Sequence, residues 1–405
     1  MFFLKLIKYF FLLPFTLFII LISRLVLFRF FLLKSKRLGH FIAEPEIFLC
    51  EKNNKLNNPN QLFFDFAFLE SNKICNNFVF KLVKRNFIVL PSGICYPILN
   101  ILKNIDSIFK TNFYNKHYTT TSQNDLDVNN LFIKENIKLK LTKSEINIGK
   151  LYLKKHGLKI NSKFVCLIVR DNTYLNKNIP DKNFDYHSYR NSNIENYEKV
   201  IQHLIKRGYY VFRMGREVKN NINFSHSKYI DYANSEHRND FLDVFLGSNC
   251  NFCITTGTGF DAIPYVYRKP LISLIMPIGL FYSYNYNHLN ITKKHFSKTL
   301  NRNLTLSEIF EKKLAFAKKT SDYDKKNIEL IDFKSEELID IVDEMIESIS
   351  NNFELKEEDQ YYLNLFLNIC GKYITNNELY SIKHGKLIGR FSIKFLKKND
   401  WFIKK

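Results

Sequence analysis

The sequence predicts an α/β protein built from two doubly wound lobes behind a hydrophobic amino-terminal segment. Three observations support this. The second half alternates continuous apolar runs with helical patterns, as buried parallel strands and their crossovers do. A polar stretch from Asn115 to Lys143, rich in Asn, Asp, Thr and Ser, offers a boundary between two halves. Clusters of Arg, His, Asp, Thr and Gly fall where strand patterns give way to turns, the edge of a parallel sheet at which ligands bind.

Length and composition allow both lobes a core: the chain has 405 residues and is 46% apolar. Its formal charge of +21 raises nucleic acid as a partner. The Lys, Asn, Ile, Phe and Tyr excess runs through the whole chain, however, with no recognition motif, so no nucleic-acid partner is expected. The seven cysteines, Cys50, Cys75, Cys95, Cys166, Cys250, Cys253 and Cys370, are odd in number and scattered, which fits a reducing cytosol better than a disulfide framework. Cys250 and Cys253 have metal-ligand spacing, but no second pair or His cluster answers them and the motif runs straight into the apolar Phe252 to Ile254 strand pattern. Buried thiols and no metal are expected.

Residues 1–34 are dominated by Phe, Leu and Ile. The longest uncharged run, Tyr9 to Ser23, is 15 residues, roughly 22 Å as a helix against a hydrocarbon core of about 30 Å. Membrane association is expected, with a span, a hairpin and an interfacial helix kinked at Pro14 all open. The basic residues Arg24, Arg29, Lys34, Lys36 and Arg37 argue against a cleaved signal and favour a location on the cytoplasmic face of the inner membrane.

The first lobe is expected over residues 35–145. Apolar runs at Glu46 to Cys50, Leu62 to Phe68 and Phe87 to Leu90 read as short strands, and Lys73 to Lys84 as the helix between the last two. Pro91-Ser92-Gly93 reads as a loop. Gly39-His40 has two readings. The glycine permits close approach to a ligand and the imidazole can move a proton near neutral pH, or the pair is a turn with a surface histidine.

The second lobe is expected over residues 146–350. Strands are predicted at Phe164 to Val169, Tyr209 to Arg213, Tyr229 to Tyr232, Phe252 to Thr255 and Leu271 to Ile275. Helices are predicted from Asn193 to Gly208, Asp240 to Leu246, Asp261 to Tyr267 and Ser335 to Ser350. Another helix starts at Glu354. Thr256-Gly257-Thr258-Gly259 then falls at a strand-to-helix junction, where backbone N–H groups and hydroxyls can hold a diphosphate. It is neither a Walker loop nor a dinucleotide fingerprint. Arg170, Arg190, Arg213 and Arg238 add planar guanidinium forks suited to phosphate oxygens, and Phe212-Arg213-Met214-Gly215 closes a strand. At least one of these arginines is expected to serve an ion pair with Asp171, Asp231, Asp240 or Asp243 instead.

The stretches Lys36 to Phe41, Phe48 to Glu51, Arg170-Asp171, Asp185 to Ser192, Tyr209 to Gly215, Ile230 to Ala233, Arg238 to Asp243, the Thr-Gly-Thr-Gly turn and Phe391 to Trp401 together resemble a family of bacterial glycosyltransferases found with surface-polysaccharide genes. The likeness spans nearly the whole chain after residue 34 and departs at Ala43-Glu44-Pro45-Glu46. It implies two Rossmann-like lobes of GT-B type, similar in the second lobe to heptosyl- and fucosyltransferases, and transfer of a sugar from a nucleotide-sugar donor. It also implies that the tail, residues 351–405, crosses back to the first lobe.

Such a transfer needs charge stabilisation on the leaving nucleoside diphosphate and a base for the acceptor hydroxyl. Arginines and a helix N-terminus meet the first need without a metal or other cofactor. The Asp-x-Asp pairs, Asp125 with Asp127 and Asp322 with Asp324, fall in polar stretches and not at a strand end. Asp171 and His40, facing each other across the cleft, and then His187 are the candidate bases. Asp171 beside Arg170 reads equally as a simple ion pair. Tyr174 and Tyr186 offer sugar platforms. The donor-binding set is Arg170, Arg190, Arg213, Gly215, Arg238, Thr256, Gly257, Thr258 and Gly259. The acceptor class expected is a surface polysaccharide or lipid-linked glycan. Two rival readings use the same anion contacts: a polysaccharide pyruvyl transferase and a non-catalytic membrane-bound glycan or nucleotide binder.

Overall fold

The structure, a computed structural model, describes residues 2–171, 185–216, 218, 222–274, 288–350, 354–374 and 389–404. The chain divides into two compact units, Met1–Asp127 with Lys134–Leu141, and Val128–Ile133 with Thr142–Lys405. The boundary thus falls inside the polar stretch, with one short exchange of segments.

The first unit opens with helix α1 (Phe2–Ile22) and strand β1 (Val26–Leu33). β1 corrects the expectation that residues 1–34 form a separate segment, because it pairs in parallel with β2 (Leu62–Leu69) along its whole length. Arg29, expected as a membrane flank, lies inside this pairing. Its partner in register is Asp65, whose Oδ1 accepts from Nε at 2.7 Å, and the guanidinium sits 4.4 Å from the centre of the Phe63 ring. A buried guanidinium needs such compensation to be taken out of water. With β3 (Ile88–Leu90) and β4 (Tyr118–Thr119) the sheet order is β3-β2-β1-β4, all parallel.

Helix α2 (Leu38–Asn53) replaces the strand expected at Glu46 to Cys50. Nearly every residue from Phe41 to Glu51 is buried, so no amphipathic period marks the helix, and a short apolar run of this kind cannot be told from a strand by pattern. Phe48 on α2 stacks on Phe31 of β1 at 4.5 Å. Helix α3 (Asn77–Lys84) is capped by Asn76, whose side chain accepts from Val79 N–H. Helix α4 (Ser92–Phe109) begins where a loop was expected. It packs with α1 on the opposite face of the sheet, where Ile19, Phe30, Phe68, Cys95, Ile98, Leu99 and Leu102 form a core. No described helix is long and apolar enough to cross a membrane.

In the second unit, strands β5 (Lys163–Ile168), β6 (Tyr209–Arg213), β7 (Tyr229–Ile230), β8 (Phe252–Thr255), β9 (Leu271–Leu274), β10 (His288–Ile291) and, from the tail, β14 (Arg390–Phe391) form a parallel sheet ordered β14-β10-β9-β8-β5-β6-β7. A small antiparallel sheet unread in the sequence joins β11 (Lys294–Ser297) to β12 (Arg302–Asn303) and β13 (Ile328–Ile331). The described part of the tail belongs to this unit. Phe391 stacks on Phe366 at 4.4 Å, and the buried Glu344 carboxylate accepts from Ser392 Oγ and from the N–H groups of Ile393 and Lys394.

The strand order fixes where a ligand can enter. From β5 the chain moves to β6 and β7 on one side, then returns to β8 on the other. The connections leaving β5 and β8 therefore diverge and open a crevice outside the carboxyl ends of these two strands, the switch point at which doubly wound sheets bind ligands.

Candidate functional site

Two predicted elements meet at that switch point. Arg170 lies just past the end of β5, and Thr256 follows β8 directly. Thr256 is wholly buried, and its Oγ1 accepts a hydrogen bond from the Arg170 backbone N–H at 2.7 Å. This contact fastens the two strand ends together and fixes where the Arg170 side chain starts.

The Arg170 guanidinium is largely buried, and its Nε and Nη2 have no hydrogen-bond partner among the described residues. Burial lowers its pKa, and the nearby Arg190 cation lowers it further; Tyr189, Tyr186 and Asp261 oppose the effect. Two like charges share a half-buried crevice with incomplete compensation, an arrangement that an anion would relieve. Arg190 is held by its own neighbour, donating from Nε to the Tyr189 hydroxyl at 2.8 Å. Its Cδ lies against Gly257, 3.9 Å from where a Cβ would stand. Gly257 has φ +81°, which a side chain would strain.

The Thr-Gly-Thr-Gly elbow does less than expected. Gly257 N–H donates to Thr255 Oγ1 and Thr258 N–H to Asp261 Oδ2, while Thr258 Oγ1 accepts from Phe260 N–H. The helix beyond, Ala262–Val266, has five residues. These groups therefore stiffen the elbow and do not present a row of idle donors. Gly259 is exposed. What the elbow offers the crevice is its shape beside Arg170 and Arg190.

The segment bearing Arg190 is pinned from behind by residues that sequence reasoning missed. It forms a short 3-10 helix, Asp185–Arg190. Thr320 Oγ1 accepts from Tyr189 N–H at 3.2 Å and bonds Ser188 Oγ at 2.9 Å. Lys293 Nζ donates to Asn191 O at 2.6 Å, and Asp332 accepts from Ser192 Oγ at 2.7 Å and Asn193 N–H at 2.9 Å. Lys293 and Asp332 themselves pair at 3.3 Å. Burial holds the Lys293 pKa down, with Asp332 opposing. Lys293 follows the buried strand β10 as one of two adjacent lysines, and nothing local distinguishes it from a solvated one.

Arg213 and Arg238 are engaged elsewhere. Arg213 is buried and pairs with Asp231 at 3.3 Å. Arg238 lies 3.6 Å from Asp243 at the start of the helix Asp240–Asn249. That pair does not offset the cost of burial, since the Asp243 carboxyl is pushed up to about 6, with burial as the main cause and Arg238 opposing it. At Gly215 a Cβ would stand 2.9 Å from Val218 Cγ1 and 3.3 Å from Ala233 Cβ, a packing reason for glycine.

Of the candidate bases, Asp171 is the residue after Arg170 and is half-buried. The His187 side chain and all of Tyr174 lie outside the described residues. Tyr186 is exposed. His40 belongs to the first unit, on the first turn of α2. Its Nδ1 is 2.8 Å from Glu44 Oε1 and 3.6 Å from Asp125 Oδ1, and Lys34 Nζ reaches the same Glu44 oxygen at 2.6 Å. Glu44 is buried, and Nε2 is the ring nitrogen left to other contacts. A carboxylate behind Nδ1 fixes the tautomer and orients the ring, the arrangement by which an imidazole acts as a base. Glu44, in the stretch where the sequence departs from the family likeness, is thus tied to a predicted site residue. Further along α2, Glu46 accepts from the N–H groups of Lys138 and Leu139, and Glu51 from that of Ser122. Among the described residues no group of three or more His, Cys, Asp or Glu side chains is disposed to hold a metal ion.

No family model and no curated protein matches the chain. Solved structures similar to it include ADP-heptose LPS heptosyltransferase II of E. coli, 8% identical, with 78% of this chain and 98% of that one covered at a TM-score of 0.42. A glycosyl transferase family 9 protein from Veillonella parvula is 12% identical, with 80% and 98% covered at 0.42. The E. coli heptosyltransferase WaaC, solved with ADP, is 10% identical, with 79% and 98% covered at 0.37.

Proposed function

We propose that the second unit binds the diphosphate of a nucleotide-sugar at the switch point between β5 and β8, and that the protein transfers the sugar to a hydroxyl of a glycan or lipid-linked acceptor. The observation that carries this reading is the pairing of Arg170 and Arg190 in one crevice, with Nε and Nη2 of Arg170 buried and without partners among the described residues. A buried, poorly compensated guanidinium is a cost to the empty protein that a bound phosphate recovers as charge-assisted hydrogen bonds.

In this reading the bond from the anomeric carbon to the diphosphate oxygen breaks as the acceptor oxygen forms its own bond to that carbon. Arg170 and Arg190 stabilise the negative charge gathering on the departing diphosphate, and the buried Thr256 hydroxyl keeps Arg170 in place. Because the cations are side chains, the reaction is proposed to proceed without a metal. The acceptor hydroxyl must lose a proton. His40, held by Glu44, has the geometry of a base, and Asp171 is the alternative in the second unit.

A thermal-shift screen of nucleoside diphosphates and their sugars, followed by assay of nucleoside diphosphate release with a glycan acceptor in the presence of a chelator, tests the reading. Stabilisation by a nucleotide-sugar and acceptor-dependent release are expected. Stabilisation without release would leave a binder, and response to phosphoenolpyruvate alone would point to pyruvyl transfer.

A further inference from the structure

Helix α1 is packed inside out for a protein surrounded by water. Among the described side chains, those turned wholly into the first unit are few, Thr16 and Ile19 on the helix and Ser23 just after it, with Ile20 partly buried beside them. The residues it turns outward are Phe and Leu. Phe10, Phe11 and Leu21, with Leu25 in the turn that follows, are 71–78% exposed, and Phe15 and Phe18 lie beside them at about half. A surface helix in water shows the opposite pattern, apolar inward and polar outward. The apolar surface continues onto neighbouring elements. Ile108 and Phe109 end α4 at 70% exposure each, and Leu62 and Phe64 lie on the face of β2 that α1 and α4 cover. A patch this extensive marks a surface with a partner.

Charge identifies the partner. The segment has basic residues alone: Lys5 and Lys8 lie within the α1 sequence, Arg24 is exposed just after it, and the first carboxylate in the chain is Glu44. Lys103 and Lys110 add exposed cations on and after α4. The single carboxylate of α4, Asp106, accepts from Thr111 Oγ1 and from the N–H groups of Phe113 and Tyr114. An apolar, Phe-rich face rimmed by Lys and Arg matches the boundary between acyl chains and anionic headgroups. A span does not fit, because the Thr16, Ile19 and Ser23 stripe is committed to protein and lipid cannot surround the helix.

We propose that α1 lies in the plane of an anionic lipid bilayer, its outward face sunk to the level of the acyl-chain boundary, as a peripheral anchor that is also part of the first unit's core. The full chain, sedimented with vesicles containing phosphatidylglycerol, is expected to bind, to bind at least about tenfold less to vesicles of phosphatidylcholine alone, and to weaken as salt is raised to about 0.5 M. Phe11→Glu with Phe18→Glu places two charges on the outward face without touching the buried stripe. It is expected to keep the wild-type melting temperature and lose vesicle binding on the order of 100-fold. Wild-type protein left in the supernatant with phosphatidylglycerol vesicles would overturn the proposal, as would equal binding by the double variant. So would a dimer, dissociated by the same substitutions, that ignores vesicles, since a second copy would then cover the face. Retention in the membrane after alkaline carbonate extraction would also overturn it, in favour of a span.

Discussion

The backbone N–H of Arg170 donates to the buried hydroxyl of Thr256 at 2.7 Å, linking the carboxyl end of β5 to that of β8. The bond crosses the place where the sheet order reverses, so it sets the geometry of the crevice itself. Thr256→Val keeps the shape but leaves the Arg170 amide without its acceptor, which costs about 1–3 kcal/mol. Urea unfolding is expected to show that loss, and calorimetric titration a nucleoside diphosphate affinity at least about tenfold weaker, as the 1.4 kcal/mol per decade relation implies. Thr256→Ser retains the hydroxyl and is expected to restore both. Unchanged affinity in the valine variant would remove Thr256 from the site.

Arg170→Met separates stability from binding. The guanidinium is held in a crevice beside a second cation without full compensation, so an apolar side chain of similar length relieves a cost in the empty protein. The variant is expected to melt at or above the wild-type temperature while nucleoside diphosphate release falls by about 10²–10³-fold. A structural arginine would give the reverse, a lower melting temperature with activity falling only in step with folded protein.

The second unit was legible because its strands are buried on both faces. Tyr209–Arg213 and Phe252–Thr255 coincide with the apolar runs that announce them, and β5 and β9 fall within a residue of theirs. Arg170 and Arg190 were legible as one set only by residue type and strand-end position, since they stand 20 positions apart and the contacts that hold the Arg190 segment come from far along the chain. Lys293 and Asp332 escaped for the same reason, being more than 100 positions from Asn191 or Ser192. In the first unit, α2 hid as a strand because burial on all sides erases the helical period. β1 hid as membrane segment because its Phe and Leu content is that of lipid-facing sequence, and the one telling residue, Arg29, finds its partner Asp65 36 positions away.

His40 and Glu44 test the base assignment. With the carboxylate behind Nδ1, Nε2 is free to take a proton from an acceptor hydroxyl. His40→Asn is expected to lower kcat by about 10²–10⁴-fold and leave the affinity for nucleoside diphosphate unchanged. Glu44→Gln keeps a hydrogen-bond acceptor behind Nδ1 but loosens the hold on the ring, so a smaller fall of about 10–10²-fold is expected. If His40→Asn retains wild-type kcat, Asp171 becomes the base.

Three groups with large shifts contribute to how stability responds to acid. Burial holds the imidazoles of His288 and His295 down to about 4, whereas in an unfolded chain they titrate near 6.5. Their folded pKa is depressed, so their contribution is complete above about pH 6.5 and is lost as pH falls towards 4, at most about 3 kcal/mol each. Asp243 runs the other way. Its carboxyl is pushed up to about 6, so its contribution is complete below about pH 4 and is lost as pH rises through 6, by about 1–3 kcal/mol. Two histidines outweigh one aspartate, and net stability is expected to fall between pH 6.5 and 4.5. His295→Gln removes one of the two opposed terms and should flatten the fall, while Asp243→Asn removes the compensation and should steepen it. Urea midpoints at pH 7, 5.5 and 4.5 read all three curves, and parallel slopes in wild type and both variants would show that other groups govern the acid limb.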